Sequence, residues 1–582
     1  MRQQWLYLTL GLVALLAVDA VQLITPRIIR TVVDTLAQGG REDVLRLAFF
    51  QILAISIGIV VFRFSWRYFI FGSSRRIEKL VREQLYAHFL KQPVSFYDRR
   101  KVGDLMAHVT NDLTAVREAI GVALVMATDA VVWSAATITM MMLIDVQATL
   151  LALIPLVAIA PLSKVMGSAI HRRFREVQEA FSRISDRAQE AIAGIQTLKV
   201  FGKEDAFGRI YAQEAERYYI RNLALARVSS AQIPAVMFIA SVSTVFLLWF
   251  GGQGAISGRL TLGEFVALYA YLGMLAWPMM ALGWVVNLYQ RGLASLDRIE
   301  SLMRETPEEP QTALAPFSPI QSPASLEPPS ISFRNLSFSY GTDSEEVLKN
   351  IHIEVAAGDR LAIVGRTGSG KSTLFSLLAR LYNPPPGSVL INDRDVLDYS
   401  LASLRNFITI VPQDSFLFSE TLGENILCGL RDEKSESALH EVIARACLEE
   451  EVEAMPKGLE TVVGERGVTL SGGQRQRVAL ARALIRKAPV LILDDCLSMV
   501  DAETEKAILS GITPVFHGKT VIVATHRLSA IADFPRILVM DGGRVVESGT
   551  HPELLALGGF YADMFEVFQI EQSLFGQVVA AA

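Results

Sequence analysis

The chain has 582 residues, 51% of them hydrophobic and 20% charged, with a formal net charge of −5 and a mean hydropathy of +0.34. That length exceeds a single domain, and a near-neutral balance without a long basic run gives nucleic-acid binding no support. The three cysteines, Cys428, Cys447 and Cys496, have neither zinc-site nor disulfide-framework spacing, so they read as ordinary small residues in a reducing compartment.

A helix needs about 20 mostly apolar residues to cross the hydrocarbon core. Six stretches qualify, near 5–25, 44–66, 119–144, 147–169, 231–252 and 262–287. Long polar helical segments follow the second and fourth. The first of these carries Arg75, Arg76, Lys79, Arg82, Lys91, Arg99, Arg100 and Lys101, and the second opens with His171, Arg172, Arg173 and Arg175. Connections after spans three and five are short and nearly free of cations, which places the long loops in the cytoplasm. Arg27, Arg30 and Arg41 on the opposite side weaken the asymmetry without reversing it. The first apolar stretch runs past Ala20 to Ile24, longer than a signal-peptide core, and is read as a true span.

Asp19 and Asp129 fall inside spans, where an ionisable group costs about 2.5 kcal/mol or more and needs a cavity or a partner. They form either an inward-facing site for cationic or polar substrates or a helix–helix hydrogen bond. Met274, Trp277, Met279, Met280 and Trp284 of the sixth stretch read as a packing stripe, with an adaptable pocket as the alternative. Residues 304–330 hold seven prolines among Ser, Thr and Glu, a composition that neither spans a membrane nor packs a core. The expected division is therefore a membrane domain over 1–305, a linker over 306–328, a second domain over 329–575 and a tail over 576–582.

In the second domain the apolar strand 361–364 runs into Gly365, Arg366, Thr367, Gly368, Ser369, Gly370, Lys371, Ser372 and Thr373. This fits G-x-x-x-x-G-K-[ST] between a strand and a helix. Its backbone amides wrap phosphates, Lys371 neutralises the β and γ groups, and Ser372 ligates Mg²⁺. A second apolar strand, 490–493, ends in Asp494, the expected carboxylate on the Mg²⁺ side of such an ATPase.

Between them stand Leu470, Ser471, Gly472, Gly473 and Gln474. This pentapeptide resembles the signature motif of ATP-binding-cassette (ABC) proteins, in which one subunit's signature closes over the ATP held by the other's phosphate loop. The resemblance implies that Ser471 and the glycine backbone bind a partner's γ-phosphate. It also implies that Tyr340 stacks on adenine, that Gln413 contacts Mg²⁺ and links to the membrane helices, and that His526 contacts the γ-phosphate. Residues 498–501 match the interface loop, and 461–467 match an exporter loop that touches the opposite membrane domain. Residues 96–98 with 103–106, and 196–205, resemble the two coupling segments. The order of domains is that of exporters, and the chain is most similar to the bacterial MdlA-like half-transporters that pair as heterodimers. The fold class so implied is an all-α six-helix transmembrane domain fused to an α/β P-loop NTPase cassette.

One position departs from the pattern. Where the family has a glutamate as general base after Asp494, this chain has Asp495. Aspartate is one methylene shorter, which sets it outside the roughly 2.6–3.2 Å reach of a general base. The expectation is ATP and Mg²⁺ binding with slow hydrolysis at this chain's own loop, in a heterodimer whose second half carries the glutamate. The implied function is ATP-driven export of amphipathic compounds (multidrug, lipid or peptide class) by alternating access across the bacterial cytoplasmic membrane. The alternatives are a homodimeric lipid flippase, in which Asp495 is a working base, and an ATP-gated channel or regulator.

Overall fold

A computed structural model describes residues 2–40, 42–308, 327–341, 344–430, 436–464 and 470–581. Two compact units result, one from 1–92 with 100–306 and the other from 93–99 with 307–582. Most of the linker stretch and residues 465–469 of the exporter-type loop lie outside the described residues.

The first unit is all helix. Arg2–Gln22 and Thr25–Ala37 join through Leu23 and Ile24, and Pro26 sits in the first turn of the second helix, where its missing N–H costs nothing. Glu42–Phe89 has 48 residues, about 72 Å at 1.5 Å per residue, more than twice the roughly 30 Å hydrocarbon thickness. Its surplus is the polar stretch that the cation pattern assigns to the cytoplasm. Val102–Met142, Val146–Ala193 and Glu204–Ile256 complete, among the described residues, five helices long and apolar enough to cross a membrane. Their exposed side chains include Phe49, Phe50, Val60 and Phe64, as expected of surfaces whose solvent is lipid.

The sixth apolar stretch departs from a continuous span. It is divided at Leu275 between Leu262–Met274 and Ala276–Met303. Pro278 has no N–H to give the Met274 carbonyl, and its ring crowds that carbonyl. The Trp133 indole N–H fills the gap, donating to the Met274 oxygen at 3.3 Å. Trp277 and Trp284 are 58% and 63% exposed in the single chain, against the packing-stripe reading; Met279 and Met280 lie outside the residues whose side chains are described. Asp19 is buried, and Asp19 Oδ2 and Asp129 Oδ1 are each buried without a hydrogen-bond partner among the described residues.

Close helix approach depends on a missing side chain at Gly11, where a Cβ would stand 2.5 Å from Ile70 Cγ1. At the polar end of the third span, Asp112 accepts hydrogen bonds from Ser295 Oγ at 2.8 Å and Arg298 Nε at 3.1 Å. His108 Nδ1 lies 2.6 Å from the same carboxylate, so one buried acid ties two helices together.

The second unit contains two sheets. Strands β1 (Ile331–Phe338), β2 (Leu348–Val355), β4 (Val389–Ile391) and β5 (Arg394–Asp395) form an antiparallel sheet in the order β2-β1-β4-β5. The larger sheet takes β3 (Arg360–Gly365), β6 (Ile408–Val411), β7 (Val490–Asp494), β8 (Thr520–Ala524), β9 (Arg536–Asp541) and β10 (Arg544–Gly549) in the order β10-β9-β3-β8-β7-β6. From β9 to β6 the pairing is parallel. β7 and β8 are buried along their whole length, which is why they read as unbroken apolar runs. The short helix Val94–Asp98 belongs to this unit, with Phe96 buried and the Asp98 carboxylate accepting from Tyr382 Oη at 2.5 Å.

Candidate nucleotide site

In a parallel sheet, the residues that follow neighbouring strands share one edge, and that edge is where α/β folds bind ligands. Here β3, β8, β7 and β6 lie side by side, with Ile363 opposite Ala524, Ala524 opposite Asp494 and Leu493 opposite Val411. Their carboxyl ends lead in turn into the Gly365–Thr373 loop, His526, the Asp494–Asp495 pair and Gln413. Residues more than 150 positions apart thus meet because of strand order alone.

The loop after β3 has Gly368 at φ 84° and Gly370 at φ 99°, a region that side chains avoid. A Cβ on Gly370 would also stand 2.6 Å from Leu348 Cδ2. Helix Lys371–Leu378 follows, so loop amides and helix N-terminus present positive partial charge together. Lys371 Nζ folds over the loop, donating to the Gly365 carbonyl at 2.7 Å, the Arg366 carbonyl at 3.1 Å and Ser369 Oγ at 3.3 Å. Burial lowers its pKa against the pull of Asp494 and Asp495. Burial raises that of Asp494, opposed by a hydrogen bond from Ser372 and by Lys371. Each group is thus held toward its neutral form, the condition that an arriving polyanion and cation would reverse.

Arg366 turns away to lie 4.8 Å over the Phe560 ring, and Thr367 is exposed. Tyr340 is half exposed, with its hydroxyl 2.9 Å from Thr373 Oγ1 and its ring edge-on to Tyr382 at 4.9 Å. His526 is half-buried, and burial, helped by Lys371, lowers its pKa against Asp495 and Asp494.

Asp495 is buried and sits at φ 45°, a left-handed conformation uncommon for any residue but glycine. Its amide donates to the Ala524 carbonyl at 2.8 Å, and its Oδ1 accepts from the His526 amide at 3.4 Å.

Two predicted groups stand apart from this cluster. The Gln413 side chain makes no hydrogen bond to Ser372 or Asp494 among the described residues; it lines a cavity of about 320 Å³ with Gly472, Arg475, Gln476 and Met499. Ser471 caps helix Gly472–Ile485 reciprocally with Gln474, the Gln474 amide donating to Ser471 Oγ at 3.2 Å and the Ser471 amide to Gln474 Oε1 at 2.9 Å. Gly472 and Gly473 pack on Met499 closely enough that a Cβ would come within 2.5 and 2.9 Å of it. No hydrogen bond joins this helix start to the phosphate loop among the described residues.

Sequence reasoning missed Gln476, which is buried and accepts from the Met499 amide at 2.9 Å while donating to Ser498 Oγ at 3.0 Å. It missed Arg527 too, which pairs with Glu505 and donates to the Ser498 and Val500 carbonyls at 3.1 and 2.9 Å. Together they hold the loop after Asp495 against the signature helix and His526. Gln476 stands among the buried apolar residues of its helix, and that misfit was the available signal.

Comparison with known proteins matches this geometry. Residues 8–279 match the family model described as the ABC transporter transmembrane region, and residues 348–498 match the one described as ABC transporter. The chain is 38% identical over 570 residues, 97% of its own length and 96% of the relative's, to the probable multidrug resistance ABC transporter ATP-binding/permease protein YheI of Bacillus subtilis. It is 34% identical to the multidrug resistance-like ATP-binding protein MdlA of Escherichia coli (97% of this chain, 95% of that one). It is 35% identical to the ATP-dependent lipid A-core flippase of Shewanella oneidensis (89% and 86%). A solved bacterial Atm1-family ABC exporter with ATP bound is similar at a TM-score of 0.77 and 30% identity, over 96% of this chain and 98% of that one.

Proposed function

The chain belongs to the ABC transporter family as an ATP-binding membrane exporter, and from that premise we propose that it is the half of a heterodimer whose own phosphate loop binds ATP but hydrolyses it slowly. The observation that carries this reading is Asp495. Its carboxylate is one methylene shorter than the glutamate of the family pattern, on a left-handed backbone and within reach of the His526 amide. A positioned general base contributes about 10²–10⁴-fold, so a retracted one leaves binding intact and turnover low.

In this reading the loop amides and Lys371 hold the β and γ phosphates, and Tyr340 receives the adenine. Ser372 and Asp494, two hard oxygen donors close enough for Ser372 to lower the Asp494 pKa, fit Mg²⁺, with Gln413 as a further oxygen donor. The metal, when bound, supplies charge neutralisation between the phosphates. His526, beside the site, donates to the γ-phosphate. Ser471, Gly472, Gly473 and Gln474 serve the partner's nucleotide. Closure of the two cassettes then drives the membrane helices from inward-facing to outward-facing, and hydrolysis at the partner's loop resets them. The multidrug names of two relatives support amphipathic compounds as the cargo.

The flippase among the relatives supports a second reading, a self-sufficient homodimer that moves lipid. Mg²⁺-dependent ATP turnover of this chain alone in lipid nanodiscs, beside its Lys371→Ala variant, separates the two. The expected result is bound ATP with negligible turnover. Brisk turnover abolished by Lys371→Ala would overturn the heterodimer reading and make Asp495 a working base.

A further inference from the structure

Along the polar part of helix Glu42–Phe89, two of the five Arg and Lys side chains have acidic partners among the described residues. Lys79 pairs with Glu83 at 3.6 Å and Arg82 with Glu78 at 2.6 Å. Arg67, Arg75 and Arg76 form no ion pair among the described residues, and all three line one cavity of about 230 Å³. Tyr7, from the start of the first helix, and Tyr68 close its sides. Arg76 lies 4.8 Å over the Tyr7 ring, an arrangement that holds the guanidinium in place without neutralising it.

Ser73 forms part of the wall. Its side chain is 1% exposed, yet its hydroxyl has no hydrogen-bond partner among the described residues. A buried hydroxyl without a partner costs about 1–3 kcal/mol. Three unpaired guanidiniums and an unsatisfied hydroxyl around one cavity match the oxygens of a phosphate group, which arginine binds through paired N–H donors.

The depth of the cavity says where that phosphate comes from. The apolar run of this helix ends near residue 66, and the cavity begins at Arg67, on the side the cation asymmetry assigns to the cytoplasm. Tyrosines at that level occupy the lipid headgroup zone, and basic pockets between helices there bind anionic headgroups. We propose that this cavity is a binding site for the phosphate headgroup of an anionic bilayer lipid in the cytoplasmic leaflet. Arg67, Arg75 and Arg76 meet the phosphate oxygens, Ser73 donates to one of them, and the aromatic walls hold the glycerol end. The site is independent of the nucleotide reading.

Native mass spectrometry of the full chain, titrated with phosphatidylglycerol or phosphatidylcholine, tests it. The wild type retains phosphatidylglycerol preferentially. Arg75→Gln/Arg76→Gln lowers its apparent affinity on the order of tenfold and leaves phosphatidylcholine unchanged. Ser73→Ala, which leaves every charge in place, gives a smaller loss of about threefold and serves if the double variant does not fold. Lys79→Gln, which removes a paired cation nearby, keeps wild-type retention. Equal retention of both lipids by the wild type, full phosphatidylglycerol retention by the double variant and by Ser73→Ala, or an equal loss with Lys79→Gln would each overturn the site. Displacement of phosphatidylglycerol by millimolar inorganic phosphate would overturn the lipid as its source.

Discussion

Lys371 and Lys519 are both partly desolvated lysines of the cassette, and the groups around them set them apart. Lys371 faces Asp494 and Asp495, which oppose the fall of its pKa. Lys519 donates to the Ala488 carbonyl at 2.6 Å, and burial together with the like charge of Lys487 lowers its pKa to about 8. The unfolded chain keeps this proton up to about pH 10.4. Between those values the unfolded state binds more protons, so the contribution of Lys519 to stability rises with pH from about 8 to about 10.4 and is lost as pH falls back through 8. Solvent screening at this half-exposed amine reduces the effect to about 1–2 kcal/mol. Thermal melting of wild type and Lys519→Met from pH 7.5 to 10.5 should give curves whose difference is flat below 8 and then moves in favour of the wild type. A constant difference would mean that Lys519 titrates normally. The composition of the sequence carried no hint of this residue, because desolvation depends on what packs around an amine and not on its neighbours in the chain. Lys371 and Asp494 were legible because a motif fixes their spacing. The left-handed backbone of Asp495 was not, since it comes from the β7–β8 edge that holds the Asp495 amide on Ala524.

Apolar runs fell on the apolar helices of the first unit, but they carried no information on how far those helices extend past the apolar stretch or on continuity. The division of the sixth stretch at Leu275 depends on one proline and on a tryptophan about 140 positions earlier. Because the Met274 carbonyl loses its helical donor at Pro278, removing the Trp133 indole leaves it unsatisfied in a medium without water. Trp133→Phe should therefore destabilise the membrane unit by about 1–2 kcal/mol, beyond the small loss of ring area. In a Pro278→Ala background the amide of residue 278 can serve that carbonyl, and the same substitution should cost less. A double-mutant cycle read by thermal unfolding in nanodiscs should give a coupling of about 0.5–1.5 kcal/mol. Additive losses would show that the indole contributes only its packing. Strand order is the corresponding case in the cassette. Each apolar strand was readable alone, but the order β3-β8-β7-β6, which brings His526 and Asp494 to one edge, depends on long-range pairing that no local pattern encodes.

At the scale of the whole molecule, the phosphate loop and the signature helix of one chain share no hydrogen bond among the described residues. Ser471 satisfies its own helix through Gln474, and its glycines rest on Met499. In the proposed reading a complete site takes two chains, and the role of Asp495 can be tested with this chain alone by crippling complementary halves. Lys371→Ala removes the loop's cation and leaves the signature intact. Gly472→Asp forces a Cβ to within 2.5 Å of Met499 Sδ and leaves the loop intact. Pairing the two variants leaves one whole site, built from the loop of the Gly472→Asp chain and the signature of the Lys371→Ala chain. With Asp495 in both chains, that site should bind ATP and turn it over negligibly. Asp495→Glu introduced into the Gly472→Asp chain places the longer carboxylate beside the intact loop, and turnover should rise about 10²-fold. The same change in the Lys371→Ala chain puts it beside the dead loop and should do nothing. A rise from the change in the Lys371→Ala chain, or an equal rise from both placements, would mean that residue 495 does not act on its own chain's nucleotide. Turnover in the unaltered pair would make Asp495 sufficient as it stands. Silence in every pair would locate the defect outside the reach of this side chain, in the membrane half or in the signature, because the glutamate, the loop and the cation would then all be present without effect.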